Sequence, residues 1–78
     1  MKKTGTIIHV AGSGRAIVRL TNEASEGDIL YNSRGSRLVR IREIIGPVNA
    51  PYASAEPITN NIKRHVGKEV VSLRSDRL

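Results

Sequence analysis

Apolar and polar residues alternate with a period of two through almost the whole chain, which predicts strands and leaves little room for helix. Thr6, Ile8 and Val10 share one face of a first strand, with Gly5, Ile7 and His9 on the other. Ala11-Gly12-Ser13-Gly14 reads as a turn, and residues 15–20 follow as a second strand with Ala16, Val18 and Leu20 on one side. The two form a hairpin. A polar loop over 21–27 leads to a short third strand over 28–31, closed by the turn Asn32-Ser33-Arg34-Gly35. The fourth strand, 36–45, has the strongest pattern: Val39, Ile41 and Ile45 on one face, Arg40 and Arg42 on the other. Arg37 falls opposite them if the pleat is regular. Glu43 interrupts the apolar face, which predicts a bulge or a barrel rim there.

Beyond Gly46-Pro47 a fifth strand is predicted over 48–55, interrupted by Pro51. A proline lacks the donor that a ladder needs, so this strand is expected at an edge or a bulge. The polar stretch 57–67 holds a helical turn, residues 68–73 a last short strand, and residues 74–78 a polar tail. The expected fold is therefore all-β, a small six-stranded closed barrel occupying residues 1–73 as one domain.

Composition narrows the class. A core without Phe or Trp must be built from Ile, Val, Leu and Ala. The absence of cysteine excludes disulfides and thiolate metal sites. No apolar run approaches the roughly 18 residues of a membrane span, and Met1-Lys2-Lys3 runs into a strand pattern, not a signal peptide. The chain is expected to be soluble and intracellular. A net charge of +6 and a pI near 10.6 favour company with polyanions, above all nucleic acid.

Catalytic chemistry is hard to assemble. His9 and His65 stand without carboxylates at ligand spacing, so no metal or other cofactor is expected. Ser72, His65 and Asp76 could be drawn as a triad, but geometry and roles define one, not presence. Gly12-Ser13-Gly14 lacks the third glycine and the following helix of a phosphate loop. Glu43, Glu56 and Glu69 share no spacing that would pair them as acid and base. Arg19, Arg40 and Arg42 could join into a basic patch facing RNA, or form a solvated outer face that aids solubility. With Tyr31 and Tyr52 as the only aromatics, a base-stacking platform is nearly absent.

The remaining feature is Ile45-Gly46-Pro47-Val48-Asn49-Ala50-Pro51-Tyr52, a strand end stiffened by two prolines beside an aromatic. It reads either as a barrel corner or as a preorganised apolar surface, with Tyr52 as anchor.

Several stretches carry a family resemblance. Gly5 with Ile7-Ile8-His9, Ala16-Ile17-Val18-Arg19, Val66-Gly67-Lys68-Glu69-Val70 and above all Val39-x-Ile41-x-x-Ile44-Ile45-Gly46-Pro47-Val48-x-x-Pro51-Tyr52 are its marks. Together they resemble the archaeal glycine-arginine-rich-protein homologue, the accessory subunit of box H/ACA ribonucleoproteins, and the likeness spans most of the chain. It implies a six-stranded barrel related to translation-factor barrels and a non-catalytic role. The implied partner is the dyskerin-type pseudouridine synthase, whose mobile loop clamps substrate RNA. The subunit would thereby tune substrate loading and release in RNA pseudouridylation, and so rRNA processing and ribosome biogenesis. In that family the subunit touches the synthase and not the guide RNA, within an archaeal cytoplasmic particle. Ile45, Gly46, Pro47, Val48, Pro51 and Tyr52 are then the expected partner contacts. Ala50 and Ala53 depart from the family by being small. The alternative is a basic barrel that binds RNA directly, in association with ribosomes or translation.

Overall fold

The period-two segments become six strands in the computed structural model, which describes residues 2–72. They are β1 (Lys2–Val10), β2 (Ala16–Leu20), β3 (Ile29–Tyr31), β4 (Arg37–Ile45), β5 (Tyr52–Pro57) and β6 (Glu69–Ser72). A single 3₁₀ turn, Ile62–His65, precedes β6. The strands close into an antiparallel barrel in the order β1-β2-β5-β4-β3-β6, with β6 returning to β1. Leu73 and the tail 74–78 lie outside the described residues.

Closing so short a sheet requires strong local bending, and bulges supply it. In β1 the register against β2 shifts between Ile7 and His9. Ile7 is buried while Ile8 and His9 both face out, so the regular alternation expected for this strand breaks at Ile8. A second shift, against β6, makes Thr4 the extra residue. Its buried carbonyl accepts hydrogen bonds from the Thr21 and Asn22 amides at 2.8 and 3.2 Å, tying the β2–β3 loop to the barrel.

Two further bulges lie in β4. Against β3, Leu30 pairs with Val39 and Tyr31 with Arg37, which leaves Leu38 extra and buried beside Val39. The pleat is thus irregular, and Arg37 is exposed as Arg40 and Arg42 are. Against β5 the shift falls between Ile41 and Glu43, where the misplaced glutamate predicts it. Its consequence reverses one expectation: Ile44 turns toward the core, and Ile45 is 42% exposed instead of sharing the inner face with Val39 and Ile41.

The fifth strand also differs from its expected course. It begins at Tyr52, later than predicted, and lies between β2 and β4 as an internal strand of the barrel. Pro51 is therefore no interruption. It sits just before the strand, where no ladder donor is needed, and its carbonyl accepts from the Leu20 amide at 3.1 Å.

The core consists of Ile7, Leu20, Leu30, Leu38, Val39, Ile41, Ile62 and Val70 with Val18, Ala16, Ala53 and Ala55. Ala16 pairs with Ala55 and Val18 with Ala53, so the β2–β5 wall of the core is lined by small residues. Ala53 is fully buried, and its size therefore bears on packing and not on any partner contact.

Strand direction decides which connections share a barrel end. The β2–β3 loop and the β4–β5 turn lie together at the end where β1 begins. The β1–β2 turn, the β3–β4 turn and residues 58–68 lie at the opposite end.

Candidate functional site

The connection from β4 to β5 is a turn held by backbone constraints. Gly46 has φ of +95°, in the left-handed region that glycine enters at little cost. The Ala50 amide donates to the Pro47 carbonyl at 3.1 Å, closing residues 47–50. A Cβ on Gly46 would lie 3.3 Å from the Ala50 carbonyl oxygen and 3.6 Å from Tyr52 Cδ1. The Tyr52 ring thus packs over this glycine, which leaves Tyr52 half-buried.

The turn presents Val48 at 97% exposure, the extreme among the large apolar side chains of the described residues. Pro47 is exposed and Pro51 half-buried beside it. Tyr52 stands in register with Ile45 on one side and Arg19 on the other. Ile45, Pro47, Val48 and Tyr52 therefore form an apolar patch with a basic edge at Arg19. Beside it runs a groove of about 630 Å³, whose far wall is formed by Leu20, Thr21, Asn22, Glu23 and Ala24 of β2 and its loop. The six partner-contact residues expected from the sequence are brought together here, with Gly46 acting on the backbone and Val48 as the tip.

The basic patch fares differently. Arg19 lies on β2, whereas Arg40 and Arg42 lie on β4, two strands away across β5. Arg40 is opposite Glu56 in register, and Arg42 Nη1 lies 3.7 Å from the Glu56 carboxylate. Both arginines therefore flank one carboxylate, which reduces the positive potential of this face.

No catalytic constellation emerges among the described residues. Ser72 lies at the far end of β6 from His65, which precedes that strand, and Asp76 is outside the described residues. No group of three His, Asp or Glu residues could hold a metal among the described residues. No helix among them is long and apolar enough to cross a membrane.

What the sequence pattern did not reveal is a second groove, of about 560 Å³, at the other barrel end. It is lined by Asn32, Ser33 and Arg34 from one turn and by His65 of the 3₁₀ turn, Lys68 and the first β6 residue, Glu69. Arg34 and Lys68 come from different connections, and nothing in a period-two pattern joins them.

No protein-family model matches the chain. An uncharacterized protein of Methanothermobacter thermautotrophicus is 37% identical to it over 57 residues. That span is 73% of this chain and 62% of the archaeal protein, so the chain covers less than two thirds of this relative.

Proposed function

We propose that this barrel is a non-catalytic docking subunit, and that the patch of Ile45, Pro47, Val48, Pro51 and Tyr52 binds a protein partner. The observation that carries the reading is Val48, an aliphatic side chain almost wholly in water on a turn that has little freedom to lose. An apolar residue costs nothing special when exposed singly, but here Ile45, Pro47, Pro51 and Tyr52 lie at the same barrel end. Because Pro47 and the 47–50 hydrogen bond already order the turn, docking forfeits little backbone entropy there. Tyr52 offers ring area and one hydroxyl, the combination that interface anchors commonly use.

The family resemblance names the partner as the pseudouridine synthase of an archaeal box H/ACA particle. On this reading the subunit acts by population shift: it binds one position of the synthase's substrate-clamping loop better than another and so changes that loop's equilibrium. Loading and release of substrate RNA follow from the same differential contact.

The test is a tagged pull-down from native extract, followed by affinity measurement with the captured synthase. Val48→Asp replaces a fully exposed side chain and should leave the melting temperature unchanged. We expect it to weaken binding roughly tenfold or more, with Tyr52→Ala behaving alike. Undiminished binding by both folded variants would refute the docking surface, and capture of ribosomes without a synthase would refute the partner.

A further inference from the structure

The connections at the two ends of the barrel differ in charge. The β2–β3 loop, beside the apolar patch, carries Glu23, Glu26 and Asp28. The opposite end carries Arg34 in the β3–β4 turn and Lys63, Arg64 and Lys68 in the segment before β6, all exposed. None of these four has a carboxylate within ion-pair distance among the described residues. The one acid in the wall of the groove between them, Glu69, is engaged at 2.8 Å by Lys3.

Both walls of this groove are held in place. Asn32 Oδ1 accepts from the Arg34 and Ser36 amides at 2.9 Å each, and Gly35 takes φ of +87° to complete the turn. Across the groove, the Gly67 amide donates to the Ile7 carbonyl at 2.6 Å and the Ile7 amide to the Lys68 carbonyl at 3.1 Å. Arg34 and Lys68 are thus carried on backbone anchored to the barrel, with Lys63 and Arg64 on the adjoining 3₁₀ turn. His65 adds an imidazole to the same wall, and its buried Nδ1 has no hydrogen-bond partner.

We infer that this barrel end binds the phosphodiester backbone of nucleic acid, through Arg34, Lys63, Arg64 and Lys68. Arg34 and Lys68, without an ion-pair partner among the described residues, line an open groove from two connections, with Lys63 and Arg64 on the adjoining turn, which is the footprint of phosphate recognition. Arginine supplies planar, bidentate contacts and lysine point charges. No Tyr lines the groove, and Arg34, Lys63, Arg64 and Lys68 would position a strand through its phosphates and not read its bases. The protein-docking patch is at the other end, so the two ligands could be held together.

The experiment is fluorescence anisotropy of labelled 20-nucleotide single-stranded RNA and DNA, titrated with the full chain at several salt concentrations. Binding should weaken steeply with salt through counterion release. Arg34→Ala/Arg64→Ala/Lys68→Ala should lower affinity more than tenfold and flatten the logarithmic salt slope by about 2, at about 0.7 per single-strand phosphate contact. Arg19→Ala/Arg40→Ala/Arg42→Ala removes the same charge, from +6 to +3, and should stay within about twofold of the parent. Should the first variant unfold, the single charge reversal Arg34→Glu reads the same groove. Tighter binding of RNA or of DNA identifies the source of the backbone. Equal loss in both triple variants, no loss in the first, or equally tight binding of polyglutamate would overturn the inference. None of these results bears on synthase capture, so the two readings fail independently.

Discussion

A glycine in the middle of a strand usually weakens it, and Gly5 of β1 has a structural reason to be there. A methyl group at this position would collide with the Arg19 carbonyl oxygen of β2 and lie 3.1 Å from Val18 Cγ1. Backbone and a fully buried valine cannot both give way, so Gly5→Ala should destabilise the barrel by at least about 2 kcal/mol, read as a lower midpoint in urea. Gly12, in the β1–β2 turn, is the contrasting site, because a methyl group there would meet nothing within 4 Å. Its alanine variant should fall within about 0.5 kcal/mol of the parent. The presence of both glycines was legible in the chain, but the demand on Gly5 was not, because it comes from the neighbouring strand across a turn.

At the scale of the element, the β4 bulge does most to shape the candidate docking site. A regular strand would bury Ile45 with Ile41 and turn Ile44 outward. The shift between Ile41 and Glu43 inverts this, packing Ile44 against the core and releasing Ile45 to stand beside Tyr52. Ile44→Ala should therefore cost roughly 2 kcal/mol, while Ile45→Ala should cost well under 1. Thermal melts of the two variants distinguish the bulged from the regular strand directly. Glu43 signalled an irregularity in the sequence, since a carboxylate has no place on an apolar face. Which neighbour was displaced depended on pairing with Ser54 and Ala53 of β5.

For the whole molecule, closure rests on a short element. β3 has three residues, yet it joins β4 to β6 and completes the ring. Leu30 is its single fully buried side chain, and Leu30→Ala should cost about 2–5 kcal/mol through lost transfer energy and a cavity. Against the roughly 5–15 kcal/mol that stabilise a typical domain, that lowers the melting temperature by about 10 °C or more. Loss of closure would also free the edges of β4 and β6, so aggregation on heating should appear earlier in this variant. The same ring sets the molecule's polarity, because antiparallel strands send alternate connections to opposite ends. The acidic loop and apolar turn share one end, and Arg34, Lys63, Arg64 and Lys68 the other.

The sequence by itself determined the number of strands and the all-β class, because burial on one face of a pleated strand leaves a period of two in the order of residues. It also singled out residues 45–52, since proline and glycine act on the backbone locally and their meaning travels with the chain. Only the tertiary structure decided that Ile45 faces out, that Pro51 stands before an internal strand, and that Arg40 and Arg42 flank Glu56. It alone brought Arg34 and Lys68 to one groove. These are consequences of register and closure, which join residues far apart in sequence and are set by pairing between strands, not by the pattern within any one of them.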